Sequence, residues 1–321
     1  MKKITILIPV YNEQANLENN ISTIWNCISG LKYQFRILLI NDGSSDETWN
    51  VVEKLCSKND YIYGISLSRN FGKEHALICG MDHAEGDAVI VMDSDLQHPP
   101  NLIPSLISPW ENDGCETVNA VKCRRAKESI WEKLSAKIFY KLLFLIGRMK
   151  LENSSDFKLI SRKVIEELRD MNESNLFFRG MTAWLGFKTA EIKFIVENNQ
   201  SQREKMSLKK RFMLAFTAIT SFSSSPLQLI SLASVLFFLI SGVIFLHSLY
   251  MKFWGGGLEG FATVNFLILF SGALNMLGLG ILGYYMGLVY SEVKRRPRYV
   301  VRKRLGFAER DVVQLKKAHN E

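Results

Sequence analysis

The chain lacks what an exported, disulfide-built protein needs. Its five cysteines (Cys27, Cys56, Cys79, Cys115 and Cys123) have no paired metal-binding spacing and leave the last two hundred or so residues without a thiol. That pattern excludes a disulfide framework and reads as reduced, mostly packing thiols in a cytoplasmic compartment. Met1 to Lys3 run straight into a strand-like stretch with no h-region or small-residue cleavage site, so no signal peptide is expected. Internal repeats and low-complexity linkers are absent too.

Charge is missing most unevenly. No Asp, Glu, Lys or Arg occurs from Phe212 to Met251, nor from Phe261 to Ser291. Crossing a bilayer core takes ~20 apolar residues, a length that Leu229 to Tyr250 meets. Either run alone also suits a buried helix, but two in tandem predict a transmembrane hairpin within 227–291, with spans at about 229–250 and 263–290.

Acidic residues are scarce in the same region. Residues 1–200 carry 24 basic and 26 acidic side chains and residues 201–321 carry 16 and 6, so the net charge of +8 belongs to the C-terminal part. Lys205, Lys209, Lys210 and Arg211 precede the first run; Lys294, Arg295, Arg296, Arg298, Arg302, Lys303 and Arg304 follow the second. The positive-inside rule then places both termini in the cytoplasm, on a multi-pass protein of the inner (plasma) membrane, with basic flanks that attract anionic membrane lipids. Nucleic acid is not an expected partner, because the basic tail, 292–321, directly follows a span. Leu208, Phe212, Ala215, Phe216 and Ile219 recur at helical spacing beside Lys209, Lys210 and Arg211, which predicts an interfacial amphipathic helix over 207–226.

The first hundred residues alternate β-branched runs with amphipathic stretches, the pattern of a parallel sheet in an α/β domain spanning 1–206. Strands are predicted at Ile4 to Val10, Phe35 to Asn41, Ile62 to Ser68 and Ala88 to Met92. Helices are predicted at Gln14 to Gly30, Asp46 to Ser57 and Lys73 to His83. Beyond Asp95 come a helix (Asn101 to Glu111), a strand (Thr117 to Val121), a long helix (Ile130 to Ile146) and a loop around Asn153 to Asp156. Ligands of open α/β sheets bind where strands end, so the polar clusters there are the candidates.

One such cluster is D-x-D: an apolar strand running from Val89 ends in Asp93 and Asp95, ahead of Leu96-Gln97-His98-Pro99-Pro100. Paired carboxylates suit a hard divalent cation that bridges to phosphates, although a polar turn with a capping Asp reads the same alone. His98 reads as a lone polar filler and is left out of the site. The segments I-P-V-Y-N-E (Ile8 to Glu13) and I-N-D-G-S-S-D (Ile40 to Asp46) follow the first two strands.

With these segments the chain resembles family 2 glycosyltransferases. The resemblance implies a GT-A type nucleotide-diphospho-sugar transferase fold, here with a C-terminal two-helix membrane anchor. It also implies Pro9, Tyr11, Asn12, Glu13 and Asp42 at the nucleoside, Asp93 and Asp95 on Mg²⁺ or Mn²⁺ and the diphosphate, and Arg69, Lys73, Ser94 and Gln97 at the remaining nucleotide-sugar contacts. The segment Leu67 to Glu74 (L-S-R-N-F-G-K-E) and D-x-D-L-Q-x-P-P narrow the likeness to the polyprenyl-phosphate subgroup, which includes dolichyl-phosphate mannose synthases and bactoprenol glucosyltransferases. Segments at Ser155 to Arg162, Phe178 to Phe187 and Ser221 to Leu227 extend it almost to the C-terminus. Departures are Ser155-Asp-Phe-Lys158 in place of the usual G-D-F-R, Ser201 to Ser207 in place of an A-G-E-x-K-Y-P-like segment, and Thr217 in place of an acidic residue. A processive synthase would need more spans and a Q-x-x-R-W-like segment, neither of which is present.

Lys122, Arg124 and Arg125 follow a predicted strand on the acceptor side and suit an anionic lipid headgroup. Lys133, Lys137 and Lys141 form a helical stripe that reads either as a further phosphate contact, with Lys137 the candidate, or as a solvated face. Ser135 joins them by resemblance only. Asp95, through the metal, and Asp156 are the candidate catalytic residues; Asp156 reads as base, orienter or structural cap. The expected reaction is inverting transfer of a hexose, best matched by glucose from UDP-glucose, to undecaprenyl phosphate, supplying lipid-linked sugar for cell-surface polysaccharide modification. Mannose, N-acetylglucosamine or an aminoarabinose derivative stay open as donor sugars, as does a non-catalytic assembly protein of the same fold. The resemblance also brings a homotetramer into consideration.

Overall fold

The computed structural model describes residues 1–123, 154–171, 173, 176–195, 225–254 and 261–307. They fall into two compact units: one is built on a mixed sheet and takes in the chain from Arg296 onward, and the other holds two long helices.

In the first unit, β1 (Lys3–Val10) pairs in parallel with β2 (Gln34–Asn41) and β4 (Ala88–Val91), and β2 with β3 (Ile62–Leu67). Each lies within a residue of its sequence-predicted range, because strands covered on both faces read as unbroken apolar runs. On one face, α1 (Leu17–Ile28), α2 (Thr48–Lys58) and α4 (Ile103–Asn112) bury Ile21, Ile24, Val52, Leu55, Ile103 and Leu106 against Ile4, Ile6 and Ile8. The other face carries α3 (Lys73–His83), which comes so close that a Cβ on Gly80 would lie 2.1 Å from Leu7 Cδ1. Packed with α3 are α5 (Arg162–Asp170) and α6 (Phe178–Trp184). Arg162 and Arg169 donate to the carbonyls of Met81, Ala84 and Gly86, so two cations satisfy acceptors at and just past the C-terminal end of α3.

Beyond β4 the sheet is completed by β6 (Ser154–Ser161), antiparallel to both β4 and β5 (Thr117–Cys123), and by β7 (Thr189–Ile195), parallel to β5. The final order is β7-β5-β6-β4-β1-β2-β3-β8, where β8 (Val301–Leu305) runs antiparallel to β3. Two sequence expectations are corrected here. Ser154 to Asp156 belong to a strand rather than a loop; Asp156 and Lys158 mimic loop polarity, yet both are buried. Val301 to Leu305, expected as part of a basic tail, closes the sheet edge. Tyr299 Oη donates to Asp82 Oδ2 (2.8 Å), Ser68 N–H donates to Val300 O (2.8 Å), and the charged side chains of Arg302 and Lys303 stay exposed.

The second unit contains α7 (Ser225–Trp254) and α8 (Phe261–Val293). Ile230–His247 and Leu267–Val293 are long and apolar enough to cross a membrane, and neither stretch is buried in protein. The hydroxyls of Ser231 and Ser234 donate back to the carbonyls of Leu227 and Ile230, so neither needs water as a partner. Phe237 meets Phe270 (5.7 Å between ring centres), and Gly278 leaves room for Ile230. The predicted helices at Ile130 to Ile146 and, up to residue 224, 207–226 lie outside the described residues. Cys27, Cys56, Cys79 and Cys115 are free thiols, as expected.

Candidate active site

Four strands end on one side of a cleft of about 300 Å³, lined by Pro9, Tyr11, Glu13, Asp42, Lys73 and Asp93 with Ser94 and Asp95. Two loops shape it. Asn12, with a left-handed φ of 55°, accepts Ser45 N–H through Oδ1 (2.9 Å) and donates its own N–H to Ser44 Oγ (3.0 Å). Glu13 N–H donates to Thr48 Oγ1 (2.8 Å). The Asn12 side chain therefore ties the loop after β1 to the loop after β2 and is not part of the cleft lining. Tyr11 is 47% exposed, which leaves an aromatic face open for stacking on a planar ligand.

Asp42 is buried and accepts two backbone N–H groups, Phe71 on Oδ1 (2.8 Å) and Gly72 on Oδ2 (2.9 Å). Burial pushes its carboxyl up while those two donors pull the other way. Next to it, Gly43 has φ +63°, and a Cβ there would sit 2.2 Å from the Arg69 carbonyl carbon. Only glycine lets the loops after β2 and β3 meet so closely. Arg69 is exposed, with its guanidinium 4.2 Å from the Phe71 ring centre and outside the cleft lining.

The register of β4 and β6 explains the rest. Val91 pairs with Lys158 in antiparallel fashion, so extending the ladder by two residues sets Asp93 beside Asp156. Two carboxylates side by side repel, and Lys73, at the start of α3, lies between them: its Nζ is 2.6 Å from Asp93 Oδ1 and 2.7 Å from Asp156 Oδ2. Arg179 grips Asp156 from α6, with Nε 2.5 Å from Oδ1 and Nη2 2.9 Å from Oδ2. Glu74 accepts the N–H of Phe178 (2.7 Å), fixing the start of α6 and thus Arg179 beside it. Lys158 is buried below, donating to Thr182 Oγ1 (3.0 Å).

Burial would raise the Asp156 carboxyl, but Arg179 and Lys73 override it and hold it well below the usual carboxylate range. For Lys73, burial is outweighed by Asp156 and Asp93, and the ammonium is strengthened. Lys158 has no such compensation: burial takes it down to about 8, with Asp156 only partly opposing.

Asp95 is exposed, and its Oδ1 accepts Gln97 N–H (3.0 Å), so the D-x-D segment contains a genuine Asx turn, with Leu96 at φ 56°. Asn20 on α1 pins that segment by donating to Ser94 O (2.7 Å). Among the described residues no group of three or more His, Cys, Asp and Glu side chains is placed to hold a metal. Asp93 and Asp95 are nonetheless hard oxygen donors on an open cleft. The pair fits a cation such as Mg²⁺, which takes one or two carboxylates and completes its shell with phosphate and water.

The model for "Glycosyl transferase family 2" matches residues 5–169 of the chain. The chain belongs to the family 2 glycosyltransferases. This glycosyltransferase is 35% identical over 306 residues to a prophage bactoprenol glucosyl transferase homolog of Escherichia coli (strain K12), covering 94% of this chain and 99% of that one. It is equally identical to the bactoprenol glucosyl transferase of Shigella phage SfII, over 94% of this chain and 98% of that one. An uncharacterized glycosyltransferase of Bacillus subtilis (strain 168), YkcC, matches at 35% with 94% of each chain covered.

Of the residues singled out in the sequence, the enzyme brings Pro9, Tyr11, Glu13, Asp42, Lys73, Asp93, Ser94 and Asp95 to one cleft, with Asp156 one lysine away. Gln97 is exposed and Lys122 lies on β5, while Arg124, Arg125, Ser135 and Lys137 fall outside the described residues. Arg179 and Lys158 had no role assigned from sequence, although both sit in segments that carried the resemblance. His98 was set aside, yet its Nδ1 is 3.8 Å from Asp93 Oδ2 and its ring stacks on Phe157.

Proposed function

We propose that this glycosyltransferase transfers a hexose, with glucose from UDP-glucose as the leading donor, to undecaprenyl phosphate with inversion at the anomeric carbon. The reaction is read as taking place at the cytoplasmic face of the plasma membrane, with α7 and α8 as the anchor and the lipid-linked sugar serving cell-surface polysaccharide modification. The observation that carries the reading is end-to-end likeness: 94% of this chain aligns with 98% of a bactoprenol glucosyl transferase, a coverage too complete to omit either apolar helix.

A phosphate oxygen of the acceptor bonds to the anomeric carbon as the bond to the diphosphate oxygen breaks and the nucleoside diphosphate leaves. A phosphate monoester has a second pKa of about 6, so the attacking oxygen is already anionic and needs no base. This agrees with an Asp156 held ionised by two cations. Tyr11, Glu13 and Asp42 line the part of the cleft suited to the nucleoside, and Lys73, fixed by Asp93 and Asp156, is placed to donate to the departing diphosphate. Asp93 and Asp95 would hold a divalent cation, Mg²⁺ or Mn²⁺, which when bound would neutralise charge on that leaving group.

The reading is tested by incubating membranes that contain the full chain with a panel of labelled nucleotide sugars and undecaprenyl phosphate, then identifying the extracted lipid by mass. Undecaprenyl phosphoglucose from UDP-glucose is expected. Product on a sugar or protein, with none on lipid, overturns the acceptor; a different lipid-linked hexose overturns the donor alone.

A further inference from the structure

We propose that Arg179 receives the anionic phosphate of the acceptor, with Asp156 acting as the bracket that aims it. The inference rests on the proposed reading and names the residue that serves its acceptor.

A guanidinium presents five N–H donors in a rigid fork. Arg179 spends Nε and one edge of Nη2 on Asp156, and Nη1 makes no hydrogen bond to any described residue. Its side chain is 39% exposed although the Asp156 carboxylate beneath it is only 6% exposed, so one edge of the fork is anchored and the other is open. Arg179 and Lys73 share the same Asp156 oxygen, Oδ2, but only Lys73 lines the donor cleft. Lys73 reaches that oxygen from α3 and Arg179 from α6, so the two cations approach Asp156 from different elements.

Charge permits the role. Asp156 alone would repel an incoming phosphate dianion, whereas Lys73 and Arg179 together offset both Asp156 and Asp93. Lys158 backs the group, and Glu74 fixes α6 through Phe178 N–H, so the open edge of Arg179 is pre-aimed. A residue that served only to neutralise Asp156 would not need a planar fork with its far edge exposed.

The test uses the full chain in detergent or nanodiscs, as wild type, Arg179→Gln and Arg179→Lys. The apparent KM for undecaprenyl phosphate is expected to rise at least tenfold in Arg179→Gln, and less in Arg179→Lys, which keeps the charge but not the fork. The KM for UDP-glucose should stay within twofold in both. A purely structural role would move the two KM values together or lower kcat alone, and either result overturns the proposal. Binding of farnesyl phosphate without donor, with farnesol as control, gives a second readout: weaker binding of the phosphate in Arg179→Gln supports the assignment, and equal binding refutes it. Should wild type form no lipid-linked sugar from any donor, the functional reading fails; the farnesyl phosphate comparison still decides Arg179 by itself.

Discussion

Asp156 shows how a carboxylate's role follows from its neighbours. Its depressed pKa means that its contribution to stability is fully present above the unfolded-state value near 4 and is lost as pH falls through the folded value. Asp156→Asn leaves the partly exposed Lys73 and Arg179 beside a neutral amide, and with solvent able to screen both cations the cost is about 1–3 kcal/mol. The expected outcome is a lower thermal midpoint at pH 7, a wild-type advantage that shrinks in strong acid, and a loss of turnover of at least about 100-fold. Lys158 has the opposite sign. Its folded pKa of about 8 lies below its unfolded value, so the folded state gains relative stability as pH rises from about 8 to 10. Lys158→Met should remove that rise, worth up to about 3 kcal/mol, in midpoints recorded across pH 7–10. Asp93, Asp95 and Asp42 were legible in the sequence because each stands at the end of an apolar strand. Arg179 was not, since its partner comes from a strand more than twenty residues away and only the fold pairs them.

At the scale of elements, the parallel strands could be read from sequence because each is buried on both faces. β6 and β8 could not: S-S-D-F-K-L-I-S hides two buried ionisable side chains, Asp156 held by Lys73 and Arg179 and Lys158 bonded to Thr182, and V-R-K-R-L is an edge strand whose Arg302 and Lys303 face solvent. The loop after β2 carries the strictest local demand. Gly43→Ala puts a Cβ against the Arg69 backbone at a positive φ and is expected to cost about 2 kcal/mol or more, read as a drop in thermal midpoint together with weaker nucleotide binding. β8 is held by side-chain bonds as well as its ladder. Tyr299→Phe leaves buried Asp82 without that donor, and a loss of about 1–3 kcal/mol is expected in denaturant titrations.

For the whole molecule, composition distinguishes two regions: an α/β stretch with balanced charge, and a C-terminal region that is apolar and basic. The sequence did not reveal that the chain beyond α8 returns to the sheet, because five residues with three cations look like a solvated tail. That return gives a topological expectation. β8 and β1 share one sheet, so reporters fused at the N-terminus and inserted after Phe307 must lie on the same side of the membrane, the cytoplasmic side on the proposed reading; reporters on opposite sides would be incompatible with this fold. The central claim is that this glycosyltransferase moves sugar onto a polyprenyl phosphate. It is tested most directly by purified full-length protein given labelled UDP-glucose and Mg²⁺ or Mn²⁺, with and without undecaprenyl phosphate, followed by organic extraction. Label entering the organic phase only when the lipid phosphate is present, and vanishing in Asp93→Asn, is the expected result; label transferred equally well without the lipid phosphate would contradict the account.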